Sequence, residues 1–221
     1  MAETHLQQKL EELKLKIINM AAFADRAVQN AITGLMERDS KKAEMVIDQD
    51  SKINDIECQI DEYSLELLAR EQPVARDLRF VTGCMRIIID LERIGDEAVN
   101  IAEKTIFLSR LPESPHNPSF EELTEVAQAM LKGSIDSFRE QDPEKALNVC
   151  RMDNRADDLN VRVLKQTIDD MVAETTGVRR AVNTILASRS LERIADLSTN
   201  VAESTIFIVQ GFSIKHQCHR F

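Results

Sequence analysis

Two stretches of this chain hold carboxylates and amides at spacings that suit cation binding. Glu92, Asp96, Asn100 and Glu103 lie at i, i+4, i+8 and i+11. On a helix turning 100° per residue they fall at about 0°, 40°, 80° and 20°, on one stripe. Glu192, Asp196, Asn200 and Glu203 repeat the pattern. Like charges stacked at i, i+4 repel, and the stripe borders an apolar face carrying Val81, Ile88, Val99 and Ile106, so part of it loses water. Something cationic has to compensate. A second row is available upstream of each stretch: Asp50, Asn54, Glu57 and Asp61 in the first half, Asp153, Asp157 and Asn160 in the second. If these segments pack side by side, carboxylate rows face each other, and Asp77 is placed to join. Oxygen-only, histidine-poor ligand sets suit hard cations: Mg²⁺, Ca²⁺, Mn²⁺ or ferric iron. The competing reading is that the acids are solvated or paired with Arg93, Arg193, Arg79 or Lys104.

Other chemistry is thinly represented. There is no phosphate-cradling glycine loop and no nucleophile elbow. A di-iron oxidase of the ferritin type needs Glu-x-x-His inside helices. The one such string, Glu113 to His116, sits among prolines. His216, Cys218 and His219 crowd the C-terminal end but lack the second ligand pair of a closed zinc site, so they read as a mobile tail. The expectation is a protein that is not an enzyme.

The elements that must hold the acid rows are long helices. Two helical stretches, Thr4 to about Arg38 and a second to about Arg70, break at Asp39-Ser40, where Asp39 suits an N-cap. Glu71-Gln72-Pro73 ends the second, because proline disfavours helix in the residue before it. A third runs from near Arg76 to about Arg110. Residues 111–118 carry three prolines in seven positions and form a linker. Three more helices follow: about Ser119 to Glu140; from Asp142-Pro143 to about Glu174; and from about Val178 to Gln210, before a tail at 211–221. The halves match. Leu91–Phe107 (LERIGDEAVNIAEKTIF) and Leu191–Phe207 (LERIADLSTNVAESTIF) share 11 of 17 residues at an offset of 100. Asp39 and Asp142 both open second helices at an offset of 103, kept by Asp50/Asn54 and Asp153/Asp157. The reading is all-α: six long helices as two pseudo-symmetric three-helix bundles, a unit written twice, over 1–110 and 119–210.

Composition agrees. Six Gly and five Pro in 221 residues are too few for an all-β chain. A net charge of −10, from 38 acidic and 28 basic residues, argues against a nucleic-acid partner. No apolar run approaches the roughly 18–20 residues of a membrane span. The N-terminus lacks a basic and then apolar leader, and four well-separated cysteines read as reduced thiols; both suit the cytoplasm.

At LERIGDEAVNIAE and LERIADLSTNVAE, with Asp-x-x-x-Asn/Asp upstream and Arg76-Asp77-Leu78-Arg79 opening the third helix, the sequence resembles the PhoU family over nearly its whole length. The resemblance implies an all-helical, commonly dimeric regulator without catalytic activity. It implies multinuclear metal clusters, with Glu92, Asp96 and Asp50 serving one and Glu192, Asp196, Asp153 and Asp157 the other. It implies coupling between a phosphate-specific ABC transporter, through its ATPase subunit, and a phosphate-sensing histidine kinase. The starvation response is then off when phosphate is plentiful, and membrane contact is made only through those partners. Many members carry His after the motif Asp; here Glu97 and Leu197 stand there, and Asn54 matches Asp157. The two sites are therefore expected to differ. The alternative from another class is an acidic metal-storage or metal-buffering protein without a signalling role.

Overall fold

A computed structural model describes residues 5–214. The helices are α1 (His5–Glu37), α2 (Ser40–Gln49), α3 (Ser51–Glu71), α4 (Ala75–Leu108), α5 (Pro118–Glu140), α6 (Pro143–Ala173) and α7 (Val178–Gln210), with a 3₁₀ turn at Thr175–Gly177. The six expected long helices are present among the described residues, the second of them divided into α2 and α3 by a one-residue break at Asp50. The Asp50 N–H bonds the Ile47 carbonyl, three residues back rather than four. Asp50 makes no side-chain capping bond and its backbone stays helical (φ −57°, ψ −43°), so the break is one tightened turn and not a corner. The corresponding stretch of α6 is continuous through Asp153.

Duplication is visible at the corners. Arg38 and Gln141 adopt left-handed backbone conformations (φ 57° and 53°) at the ends of α1 and α5. The next N–H in each case returns to the helix, Asp39 to Gly34 (2.8 Å) and Asp142 to Ser137 (2.9 Å), closing a Schellman turn. Asp39 and Asp142 then cap the following helix, accepting from the N–H groups of Lys41 and Lys42, and of Glu144 and Lys145. Arg38 also donates to the carbonyls of Leu108 (2.8 Å) and Leu111, which anchors the C-terminal end of α4 to this corner.

α1, α2–α3 and α4 form one bundle and α5, α6 and α7 the other, but they share a single apolar core. α4 and α7 make the most extensive helix pair, and neighbours follow the order α3–α4–α7–α6. The central pair runs antiparallel: Gly83 lies against Ile208, Asp90 against Asn200, and Glu97 against Arg193. Arg86 covers the Phe207 ring (4.7 Å) and Arg179 covers Phe107 (5.2 Å), so the phenylalanine that closes each repeat's motif is covered by an arginine of the other repeat. Phe80 and Phe138 stack at 6.4 Å between α4 and α5. The proline-rich connection lies across the second bundle. Ser114 meets Thr184 (3.4 Å), and Gln166 donates to the His116 carbonyl (3.3 Å).

Cys84 and Cys150 are buried and Cys58 lies exposed on α3. Cys218, with His216 and His219, lies outside the described residues.

A Cβ at Gly83 would sit 2.4 Å from Ile208 Cγ1 and 2.7 Å from its Cδ1. Only a residue without a side chain allows α4 and α7 this close. Gly83→Ala is expected to lower stability by about 1–3 kcal/mol. In urea denaturation the double variant with Ile208→Ala should lose less than the sum of the two single losses.

Candidate metal centre

The packing of α6 against α7 brings Asp157, Glu192 and Asp196 together. Among the described residues they form the set of three potential ligands whose oxygens all lie within 4.8 Å of one another. Asp153, nearly fully buried one turn away on α6, accepts a hydrogen bond from Thr199 Oγ1 (3.2 Å) and adds its charge to the group. The carboxyl of Asp196 is pushed up to about 6, first by burial and then by Asp153 and Asp157, against a counteracting Arg193. Glu192 is raised by burial, Asp196 and Asp157.

The pseudo-equivalent site between α3 and α4 is looser. Glu92 is raised by burial, then by Asp96, Glu57 and Asp50; Asp96 is raised by burial, then by Asp50 and Glu97. Gly95 makes the approach of α3 possible, since a Cβ there would lie 2.9 Å from Ile53 Cδ1 and 3.8 Å from Asp50 Oδ1. Asn54, in the place of Asp157, donates through Nδ2 to Asp50 Oδ2 (3.4 Å), while its Oδ1 is buried with no hydrogen-bond partner.

The outer members of the two motifs go elsewhere. Asn100 donates to Glu97 (3.1 Å) and Glu103 pairs with Lys104 (3.4 Å). Asn200 turns to α4, donating to Asp90 Oδ1 (3.5 Å), and Glu203 lines a groove of about 570 Å³ with Arg86, Arg93 and Phe207. Asp77 lies at the start of α4 in a separate hollow with Lys14 and Arg76. At 1.5 Å per residue it stands about 22 Å along the helix from Glu92. Sharing an angle on a helix does not mean sharing a height or a neighbour: i+8 and i+11 lie roughly 12 and 16 Å away, against different partners. Glu57 and Thr199 belong to the two clusters although their motifs do not single them out. Glu57 was legible only as part of the α3 row. Arg193 does more than neutralise its own site, reaching Glu97 of the first repeat (Nε–Oε1 3.6 Å).

The profile of the PhoU domain matches residues 17–105 and again 120–205. The chain belongs to the PhoU family. It is 35% identical over 217 residues to the phosphate-specific transport system accessory protein PhoU homolog of Pseudomonas putida, covering 96% of this chain and 85% of that protein. It is 34% identical to the homolog of Aquifex aeolicus, covering 96% of each. The crystal structure of PhoU from Pseudomonas aeruginosa superposes with a TM-score of 0.90 at 34% identity, over 93% of this chain and 99% of that one. A phosphate transport system regulatory protein PhoU from Streptococcus pneumoniae shares the fold at a TM-score of 0.87 and 24% identity, over 95% and 99%. Two PhoU domains in tandem account for the two acid clusters at equivalent positions.

The donor sets fit hard cations. Each is all-oxygen, self-repelling and partly desolvated, and the first contains a buried carbonyl oxygen left without a donor.

Asp196 is raised from an ordinary 3.8, so the metal-free folded chain binds more protons than the unfolded chain between about pH 4 and 6. The stability this carboxyl contributes is complete below about pH 4 and is lost as pH rises through 6. In EDTA, Asp196→Asn should therefore be the more stable chain at pH 7–8, by about 1 kcal/mol after discounting for solvent screening. It should also show a flatter dependence of unfolding free energy on pH between 4 and 6.

Proposed function

We propose that this chain is the accessory protein of a phosphate-specific transport system, a non-catalytic regulator of phosphate uptake and starvation signalling. The observation that carries this reading is the near full-length match, at 34–35% identity, to relatives bearing that name. No helix among the described residues is long and apolar enough to cross a membrane, which fits a protein that reaches its membrane partners from one side. The finer reading is a cytoplasmic homodimer that docks on the ATPase subunit of the transporter and on a phosphate-sensing histidine kinase. It holds the starvation response off when phosphate is plentiful.

In this reading the acid clusters hold multinuclear, oxygen-ligated metal: iron, manganese, magnesium or calcium. Asp153, Asp157, Glu192 and Asp196 hold one centre. Asp50, Asn54, Glu57, Glu92 and Asp96 hold the other. The bound metal offsets the repulsion within each cluster and orders an outward face built from α3, α4, α7 and α6. The amide of Asn54 against the carboxylate of Asp157 gives the first centre one charge fewer and the weaker hold.

Deleting the gene should leave phosphate-starvation genes expressed in high phosphate, and a copy carrying Glu192→Ala with Asp196→Ala should restore repression poorly. Elemental analysis of that double variant should show at least half of the chain's metal lost, with the remainder removed by adding Glu92→Ala and Asp96→Ala. Normal repression in the deletion strain, with releasable stoichiometric metal on the purified protein, would point to storage instead. Metal content unchanged by all four substitutions would remove the metal from the proposal.

A further inference from the structure

The two repeats differ sharply at one end. On α6, Val161, Leu164, Ile168 and Val172 continue the stripe that begins at Asp157, within about 60° of it. On α7, Val178 and Val182 continue the stripe of Asp196 in the opposite direction along the chain. Because Asp157 and Asp196 meet, these two apolar stripes run side by side from the acid cluster to the turn that joins the helices. All six side chains are 39–78% exposed. The first repeat has Cys58, Asp61, Leu65, Ala69, Leu78 and Thr82 at the corresponding positions, so the three-helix unit does not need this surface in order to fold.

The six residues expose on the order of 500 Å² of apolar side chain, the size of patch that on a soluble protein marks an interaction site. Its charge surroundings suit a second copy of this chain. The chain carries −10, yet residues 158–186 hold four acidic and four basic residues and are neutral. The matching stretch of the first repeat, 55–86, holds seven acidic and four basic residues. The neutral hairpin end is also the more apolar one, the other exposing Leu65, Val74 and Leu78 among its acids, so a second copy can approach there without the repulsion it meets at the other. Beside the α6 stripe two bases, Arg162 and Lys165, stand between two acids, Asp158 and Asp169, so antiparallel copies offset by a turn can set Asp158 against Lys165 or Arg162 against Asp169. Two such patches face to face bury about 1,000 Å² before any rim is counted, the threshold for a specific interface.

We infer that the α6–α7 hairpin end is the surface on which two copies of this chain associate, pairing their apolar stripes about a two-fold axis into a four-helix contact. This rests on the homodimer in the proposed function and gives it a location.

The test is the mass of the full chain in solution at micromolar concentration, by light scattering after gel filtration, in EDTA so that metal plays no part. The wild-type chain should run at twice its chain mass. Ile168→Glu and Val182→Glu should run at the single mass with unchanged helical circular dichroism, and Leu65→Glu, the first-repeat counterpart of Ile168, should stay dimeric. As a check independent of those variants, p-benzoylphenylalanine in place of Val172 should give a covalent dimer on irradiation, and in place of Ala69 none. A monomeric wild-type chain would overturn both this inference and the homodimer. A dimer that survives both substitutions and gives no cross-link at 172 would overturn the surface alone and leave the homodimer standing.

Discussion

α4 and α7 each serve three neighbours at once, and the antiparallel contact between them fixes what the others can do. One face of each helix enters the shared apolar core, a second meets its twin, and a third meets the partner helix of its own repeat, α3 or α6. The contact closes where Gly83 lets Ile208 approach to 2.4 Å from the place a Cβ would occupy. With the twin side occupied, the acids of each LERI motif have only the outer helix to face. The acid clusters therefore sit to either side of the molecular centre, one per repeat, and their placement follows from helix pairing rather than from any loop.

That arrangement sets charge against packing. Glu92, Asp96, Glu192 and Asp196 are held where burial and like charges both favour the protonated form. Local chemistry offsets little of this. Arg193 is shared with Glu97 across the seam, and Asn54 offers Asp50 a single long hydrogen bond. The fold tolerates the remaining strain because it is confined to half-exposed residues, while the core beneath is a continuous set of Leu, Ile, Val and Ala from both repeats.

Much of this was legible in the sequence, for a reason particular to duplications. An offset of 100 that preserves Glu, Asp, Asn and Glu as well as the apolar frame reports a shared surface, and the i, i+4 row of Asp153 and Asp157 reports which side of α6 meets it. Angle is what a helical pattern encodes. Height and neighbour are not encoded, so Asn100, Asn200, Glu103, Glu203 and Asp77 read as part of the cluster and lie elsewhere. The break at Asp50 was illegible because it depends on one hydrogen bond shifting by one residue. Asp90, buried and accepting from Asn200, was overlooked because its counterpart Ser190 carries no charge and the repeat therefore did not flag it.

The connection between the repeats has a mechanical meaning. It leaves α4 at a point clamped by Arg38, passes Thr184 and Gln166 of the second bundle, and enters α5 through the cap of Asn117. Such a segment is a seam stitched at both edges, not a tether. The halves are stitched there, stacked at Phe80 and Phe138, and keyed along α4 and α7, so a hinge between them would have to break all three contacts at once.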